Sequence, residues 1–273
     1  MSVARELAGF LTEISIDELP ARAMELAAML VASTVASAAL GRDIESAAIV
    51  RGLAREKGGR GDASVWFDGA AKLPVAEAAQ ANAVMSDAAA SDDSDLRNIV
   101  HAGTPLTAAT LAIAERNGIS GAEVLAAIVT GYEAAGRIGA AMTPGFRQRG
   151  FHGCHAAVFA SAVAAARLMR LDPGKSAQAL ALAATSIGGL AAAADTSLAR
   201  EYHGGLATRL GIEAALAAGR GYRAEERVLE ARRGFFEAYG GVDGDAAGGE
   251  ATSGLGESWD IMTDMAVKLV PGG

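Results

Sequence analysis

The sequence predicts an all-α protein, and three observations support that prediction. Of the 273 residues, 51% are hydrophobic but only 5% are aromatic, and alanine is spread along the whole chain. Alanine is the strongest helix former and allows helices to pack closely. Apolar residues also recur at three- and four-residue spacing, in runs that end at glycine or proline. Together these features predict one large helical domain over residues 1–273.

The predicted helices follow one another with short connections. Residues 3–13 have helical apolar spacing, and a start signal from Ser15 to Pro20 precedes a long apolar pattern that ends at Gly41. The segment "DIESAAIVRGLAREKGG" predicts a helix that its glycines terminate, whereas "ASVWFDGAAKLP" has the short β-prone run of a strand or loop. Further helices are predicted over 74–90, 104–117, 120–141, 155–169, 173–188, 203–219 and 223–231. The polar, glycine-rich segment 242–258 predicts a flexible loop.

Composition argues against two classes of partner. The formal net charge of −8 leaves no basic stripe to meet phosphates, so we expect no nucleic-acid partner. The most apolar stretches, such as "AAMLVASTVASAAL", are too short and too rich in alanine and serine for a bilayer, which needs ~20 strongly apolar residues. The N-terminus lacks a signal-peptide pattern. The single cysteine, Cys154, excludes an intrachain disulfide and suits a reducing compartment, so we expect a cytoplasmic protein.

All four histidines lie in the middle of the chain: His101, His152, His155 and His203. Histidine is the side chain whose ordinary pKa suits proton transfer near neutral pH. Around His152, the stretch "TPGFRQRGFHGCHAAVF" places Arg147 and Arg149 on a glycine-bounded loop before a helix. Guanidinium groups beside a helix N-terminus favour carboxylate binding. An alternative of equal weight is a solvated loop whose arginines pair with surface acids.

A second cluster lies in "TSLAREYHGGLATRLG", which contains Arg200, Tyr202 and His203. The two glycines that follow allow a close approach of another helix or leave room for a ligand. The alternative is an ordinary helix start capped by Ser197. A catalytic role requires this cluster to meet the loop at 147–155 in space.

The only densely acidic stretch is "DAAASDDSDLRNIVHAGTP", at 87–105. Asp92, Asp93 and Asp95 carry the oxygen ligands that Mg²⁺ and Ca²⁺ prefer. A magnesium site of the diphosphate-enzyme type needs a second acid-rich helix, and the only other acidic cluster, "VDGDAAGGE", does not match the spacing of a calcium loop. We therefore expect no metal site in this stretch.

These segments, in this order, resemble the MmgE/PrpD family, which includes 2-methylcitrate dehydratase, cis-aconitate decarboxylase and iminodisuccinate epimerase. The similar stretches are "LPARAMELAAMLVASTVASAALG", "ASVWFDGAAKLPVAEAAQANAVMSDAAASDDSD", "RGFHGCHAAVFASAVAAARLMRLD", "SLAREYHGGLATRLGIEAALAAGRGYRAEERVLEARRGFFEAYGG" and "GLGESWDIMTDMAVKLVP". Any one of them is a weak match, but five in register are specific to the family.

The resemblance implies an all-α first domain, a smaller α+β second domain and a homodimer. It also implies proton abstraction next to a carboxylate without an obligatory cofactor, in a dehydration, decarboxylation or epimerisation. The resemblance stops at "KLVPGG", where family members go on into the second domain. Two explanations are open: a separate chain supplies that half, or this is a truncated form.

The resemblance also assigns site residues position by position. His152 and His203 match the family's pattern directly, His101 matches the histidine of its His-Pro-Gly turn, and Asp92 and Asp93 keep two of its acids. Ser94 replaces a threonine and retains the hydroxyl. The family pattern therefore makes His101, His152, His203, Arg200, Asp92 and Asp93 the candidate catalytic residues. Arg147, Arg149, Ser94 and Tyr202 are the candidate substrate-binding residues.

The sequence departs from the family pattern at three positions. Asp87 stands where the family has a histidine, and Ala90 where it has its first aspartate. Arg200 stands at the position of the active-site lysine, where it stays cationic but does not act as a base. The leading hypothesis is a lyase or isomerase acting on a small di- or tricarboxylate, alone or as half of a split enzyme. The alternative is a non-catalytic helical subunit, or a degenerate half, that stabilises or regulates a full-length relative.

Overall fold

The computed structural model describes residues 1–272 and is predominantly helical, which confirms the predicted fold class. The helices are α1 Val3–Glu13, α2 Ala21–Gly41, α3 Glu45–Lys57, α4 Val75–Ala88, α5 Gly103–Asn117, α6 Gly121–Ala141, α7 Gly145–Gln148, α8 Cys154–Leu168, α9 Pro173–Ala184, α10 Ala191–Thr196, α11 Ala199–Gly219, α12 Gly244–Thr252 and α13 Asp260–Thr263. The strands are β1 Ala63–Ser64, β2 Lys72–Leu73, β3 Asp93–Asp95 and β4 Met265–Val267. A 3-10 turn covers Ile16–Glu18, and a π-helical turn covers Phe236–Gly240.

Helix α8 is the centre of the domain. Every residue of this helix is buried, and it packs against α5, α6, α9 and α11. The contact with α11 needs a glycine, because a Cβ placed on Gly211 would lie 2.6 Å from Cβ of Ser161. Small side chains on both helices bring their backbones close together. The alanine-rich composition thus produces closely packed helices, as predicted.

Caps mark the starts of helical segments, and one of them lies in the predicted start signal from Ser15 to Pro20. Ser15 and Glu18 form a reciprocal capping box before α2, and Asp172 caps α9 by accepting a hydrogen bond from the backbone N–H of Lys175. Helix α5 ends at Gly118, whose φ of +63° is a left-handed conformation that glycine adopts at little cost.

Two short antiparallel strand pairs complete the fold. The first, β1 with β2, pairs Ala63 with Leu73 inside the segment predicted to be a strand or loop. The second, β3 with β4, pairs Asp93 with Val267. This second pair attaches the C-terminal segment to the acidic stretch, and it brings Lys268 next to Asp92.

Two segments correct the sequence-based expectations. The stretch 242–258 is not a flexible loop throughout, because α12 lies within it. Asp243 caps this helix by accepting from the N–H of Ala246, and the helix buries Ala247 and Ala251. The predicted helix over 223–231 is a series of turns. There the carbonyl groups of Val228 and Leu229 accept hydrogen bonds from Phe235 and Phe236, so the chain folds back instead of continuing as a helix.

Helix α2 is the one helix in residues 1–272 that is long and apolar enough to cross a bilayer, by length and composition alone. Its buried side, which includes Ala23, Ala27 and Leu30, faces the domain, where α2 contacts α4 and α6. Helices in the core of a soluble protein pass the same test of length and apolarity. Its opposite side exposes Met29 and Leu40.

Candidate active site

The starts of three helices and the second strand pair place the charged side chains together. His101 precedes α5, His152 precedes α8, and Arg200 lies in the first turn of α11. His101 and Arg200 lie close enough to influence the ionisation of both His152 and Asp87, and the ring of His203 faces that of His152, so these groups are neighbours. Helix N-termini carry partial positive charge and unpaired N–H groups. The arrangement therefore favours an anionic ligand.

His101 is held by the acidic stretch. Its Nδ1 lies 2.6 Å from the backbone carbonyl oxygen of Asp93 and 3.0 Å from Oδ2 of Asp92. Because a carbonyl oxygen only accepts hydrogen bonds, the proton of the neutral ring is assigned to Nδ1. Nε2 then carries the lone pair, and no hydrogen-bond partner for it lies within residues 1–272. His101 can therefore accept a proton at Nε2.

Asp92 lies between His101 and Lys268. Its Oδ1 accepts a hydrogen bond from Nζ of Lys268 at 2.8 Å, and its Oδ2 faces His101. Burial opposes the ionisation of Asp92, but the neighbouring His101 and Lys268 outweigh burial and lower the pKa of this carboxyl. Burial would likewise lower the pKa of His101, and the contact with Asp92 raises it instead. The three groups form one electrostatic unit.

Asp93 is buried next to the group formed by Asp92, His101 and Lys268. Its Oδ1 accepts a hydrogen bond from the backbone N–H of Gly103 at 3.1 Å, and the hydroxyl of Tyr132 lies beside it. A Cβ placed on Gly103 would lie 2.5 Å from both groups, so only glycine fits there. Burial and the charge of Asp92 raise the pKa of Asp93 to about 6. Asp93 thus anchors the start of α5 immediately after His101.

A tight turn between β3 and α5 fixes the position of His101. Asp95 accepts hydrogen bonds from the backbone N–H groups of Arg97 and Asn98, and its own N–H donates to the carbonyl of Val100. Ile99 has φ of +56°, a left-handed conformation that β-branched residues rarely adopt. Surrounding hydrogen bonds hold this strained residue, as is common in segments that position functional groups.

Asp87 and Arg200 form a second pair. Asp87 Oδ1 lies 3.3 Å from Nε of Arg200, and the guanidinium also donates to the backbone carbonyl of Asp87 at 2.6 Å. Gly204 leaves room for the carboxylate, because its Cβ would lie 3.2 Å from Oδ2 of Asp87. Burial and the charge of Asp92 raise the pKa of Asp87 to about 7, against the opposing effect of Arg200. Asp87 can therefore gain or lose a proton near neutral pH.

His152 and His203 face each other, with ring centroids 5.2 Å apart. Burial and the neighbouring His203 lower the pKa of His152 to about 3, and burial lowers the pKa of His203 as well. Both rings are consequently neutral at neutral pH and offer hydrogen bonds rather than charge. The Nδ1 atom of each ring is buried without a hydrogen-bond partner within residues 1–272.

Comparison with known families identifies the domain. The model of the MmgE/PrpD N-terminal domain matches residues 5–245. The chain belongs to the MmgE/PrpD family. It is 28% identical over 283 residues to a cis-aconitate decarboxylase-like protein of Aspergillus oryzae, an alignment that covers 98% of this chain and 58% of that protein. It is 27% identical over 286 residues to the cis-aconitate decarboxylase of Aspergillus terreus, covering 98% of this chain and 56% of the relative. The chain therefore spans little more than half the length of these relatives.

Within this MmgE/PrpD domain, six of the predicted residues come together. These are Asp92, Asp93, His101, His152, Arg200 and His203. The second cluster and the loop at 147–155 do meet in space, which was the condition for a catalytic role. Their meeting depends on the packing of α11 against α8.

The other four predicted residues lie outside the cluster. Arg147 and Arg149 are exposed, and the side chain of Arg149 lies against Gly241 instead of His152. Tyr202 is 48% exposed. Ser94 is half-buried, and its hydroxyl donates only a long 3.4 Å bond to the carbonyl of Asp95. The cation beside the histidines is Arg200, whereas Arg147 and Arg149 lie outside the cluster, and their role in carboxylate binding stays a prediction.

Sequence analysis did not predict two charged residues of the site, Lys268 and Asp87. Lys268 follows β4 and reaches Asp92 across the strand pair, 176 residues away in sequence. No local pattern in "MAVKLVP" indicates this role, because only the pairing of β3 with β4 creates the contact. Asp87 was identified only as a departure from the family pattern. Its position on a buried face of α4, four residues after Ala83 and three after Val84, was the available signal.

Proposed function

We propose that this MmgE/PrpD domain is the helical half of a lyase or isomerase that removes a proton next to a carboxylate of a small di- or tricarboxylic acid. The observation that carries the proposal is the state of His101. Its Nδ1 proton is held by Asp92 and Asp93, which leaves the lone pair of Nε2 free to accept a proton. The family membership and the names of the relatives support the same chemistry.

In the proposed step, Nε2 of His101 takes the proton from the carbon next to the substrate carboxylate. Asp92 stabilises the imidazolium that forms, in the way a carboxylate orients and supports a catalytic histidine. The electron pair left on carbon delocalises into the carboxylate as an enolate. In a dehydration, this pair expels the β-hydroxyl, which takes the proton from the His101 imidazolium and leaves as water. In an epimerisation, the carbon takes a proton from solvent on the opposite face. In a decarboxylation, no proton is removed first: the C–C bond breaks as CO₂ leaves, and a protonated His101 gives its Nε2 proton to the carbon.

Arg200 and the helix starts stabilise the negative charge in this proposal. Arg200 is 24% exposed at its side chain, so its guanidinium is accessible although it contacts Asp87. The N-terminal ends of α5, α8 and α11 add partial positive charge. His152 and His203, being neutral, donate or accept hydrogen bonds and thereby orient the substrate without adding net charge.

Solvent exchange tests the proposal. The chain, alone and together with the C-terminal half of a homologous MmgE/PrpD protein, is incubated in D₂O with citrate-like, itaconate-like and succinate-like acids. The expected result is incorporation of deuterium next to a carboxylate of at least one acid, followed by NMR or mass spectrometry. The absence of exchange in every combination, with the protein folded, would contradict the proposal.

A second candidate is a non-catalytic subunit that stabilises or regulates a full-length relative. The contact between Asp87 and Arg200 favours it, because it neutralises part of the cationic charge that would bind substrate. This candidate predicts that the chain binds a full-length MmgE/PrpD protein and changes its activity, while showing no exchange itself. Co-purification and assays of the mixture distinguish the two functions.

We also propose that the chain forms a homodimer through α2 and α3. These helices expose four large apolar side chains, Met29 and Leu40 on α2 and Ile49 and Leu53 on α3. Large exposed apolar patches are typical of interaction sites. Leu40→Glu should shift the sedimentation coefficient toward that of a monomer, whereas a wild-type chain that is monomeric at micromolar concentration would contradict the proposal.

A further inference from the structure

Sulfur and imidazole nitrogens meet at the start of α8. The potential ligand atoms of His152, Cys154 and His203 all lie within 4.8 Å of one another. Cys154 is 3% exposed and is the chain's single cysteine. Its Sγ has only long contacts: 3.8 Å to the carbonyl of His152, 3.9 Å to that of Gly188 and 3.9 Å to Nδ1 of His155. The thiol thus has no strong hydrogen bond that binding of another group would break.

The two imidazoles have unused ligand atoms at the same place. Nδ1 of His152 and Nδ1 of His203 are buried without a hydrogen-bond partner within residues 1–272, and His203 is only 9% exposed. Buried polar atoms are normally satisfied, so two unsatisfied nitrogens beside one sulfur need an explanation.

Gly189 leaves the space between these atoms. A Cβ placed on Gly189 would lie 2.6 Å from Sγ of Cys154 and 3.3 Å from Nδ1 of His203. The backbone of Gly189 is itself fixed, because its carbonyl accepts a hydrogen bond from the N–H of His152 at 3.2 Å. The glycine therefore allows the sulfur and the nitrogen to share one small volume.

We propose that His152, Cys154 and His203 form a binding site for one zinc-class divalent ion. Two nitrogens and one sulfur are the donor set that Zn²⁺ prefers, and neither Mg²⁺ nor Ca²⁺ takes it. Tetrahedral Zn²⁺ with bonds of about 2.0–2.3 Å requires ligand atoms roughly 3.3–3.8 Å apart. The three ligand atoms lie within 4.8 Å of one another, so binding brings them closer together. Binding replaces the thiol proton, which leaves to solvent.

This site and the proposed proton-transfer site share two residues. A bound Zn²⁺ occupies the lone pairs of His152 and His203 and removes them from substrate orientation. The ion is consequently an inhibitor of the proposed reaction. Metal binding itself does not depend on that reaction, so a failure of the proposed function leaves this inference standing.

Cobalt substitution tests the site directly. The purified full chain is titrated with Co²⁺, and the near-ultraviolet thiolate-to-cobalt absorption is recorded. Since Cys154 is the only cysteine, any such band in the wild-type protein reports on this residue. The expected result is a band that saturates at one equivalent, disappears on addition of Zn²⁺ and persists with excess Mg²⁺.

Variants identify the remaining ligands. Cys154→Ser should abolish the band, and His203→Gln should weaken Co²⁺ binding by at least the roughly 10- to 100-fold that loss of an outer hydrogen-bond partner costs. His101→Gln is the matched control, a neighbouring histidine outside the trio that should bind Co²⁺ like the wild type. A folded wild-type protein without the band overturns the proposal. Equal weakening in His203→Gln and His101→Gln does so too, because binding would then not depend on the trio.

Discussion

Oδ1 of Asp87 lies 3.3 Å from Nε of Arg200, at two positions where the sequence departs from the family pattern. The pattern has histidine at the first position and lysine at the second. Here a carboxylate and a guanidinium stand there together and contact each other across α4 and α11. The two departures therefore belong together, because the guanidinium of Arg200 supplies the opposite charge that the buried carboxylate of Asp87 needs.

Arg200→Ala should lower the free energy of unfolding by about 1–3 kcal/mol at pH 8, because the buried Asp87 carboxylate loses its cation. Burial raises the pKa of Asp87 to about 7, so at pH 5 the carboxyl is protonated in the folded protein and the loss should be smaller. Urea unfolding at both pH values measures the difference. Arg209→Ala is the control, since Arg209 pairs with Glu213 on the same helix and should change stability by under about 1 kcal/mol. An equal loss for Arg200→Ala at the two pH values would refute the pairing argument.

His101→Gln should reduce solvent deuterium exchange into the substrate by at least about 100-fold, the typical contribution of a general base. The glutamine amide can still donate to the carbonyl of Asp93, so the loop structure should persist while the proton acceptor is lost. Tyr202→Phe is the matched control, because Tyr202 is 48% exposed and lies outside the cluster. Exchange that survives in His101→Gln would assign the base to another residue.

Arg200→Gln should abolish most of the stabilisation that di- and tricarboxylates give to the folded chain, because this is the cation next to the histidines. Arg149→Gln should leave it unchanged, since Arg149 is exposed and lies against Gly241. The shift in melting temperature with each acid is the measurement. If Arg149→Gln has the larger effect, the carboxylate binds on the loop, as the sequence first suggested.

The exchange rate should rise with pH through the pKa of His101, because the base acts in its deprotonated form. Asp92 raises this pKa above its ordinary value of about 6.5, so the rise should be centred above that value. Asp92→Asn removes the carboxylate charge and should move the midpoint of the rise to lower pH. A pH–rate profile of both proteins checks this, and an unchanged midpoint in Asp92→Asn would show that another group titrates.

Asp93→Asn should stabilise the protein at high pH. Burial raises the pKa of Asp93 to about 6, so ionising it costs the folded state free energy that the unfolded state does not lose. That cost is absent below pH ~4, grows between pH ~4 and ~6, and is constant above, where it reaches about 3 kcal/mol. The amide oxygen can still accept the hydrogen bond from Gly103. Melting temperatures from pH 4 to 8 should show a gain that vanishes at the acidic end, and a loss at pH 8 would contradict it.

Much of the fold could be predicted because it rests on local rules. The bounds of α1, α2, α5 and α6 follow from apolar spacing and from caps and glycines adjacent in sequence. The predicted helix at 223–231 was wrong because Phe235 and Phe236 donate hydrogen bonds back to Val228 and Leu229. The predicted loop at 242–258 contains α12, where Gly248 packs against the distant Val3. Composition carries no information about such contacts.

The sequence by itself determined the helical class, the family and the residue types available for proton transfer, because spacing, caps and motifs are local properties of the chain. Only the tertiary structure decided which of those residues form a site. Packing of α11 on α8 places Arg200 beside His152, and pairing of β3 with β4 places Lys268 on Asp92. The fold also leaves Arg147 and Arg149 in solvent, although they lie only five and three residues from His152 in the sequence. Closeness in sequence therefore does not decide which charges surround a buried group. The packing of helices and strands decides it, because it brings together residues that are far apart in the chain.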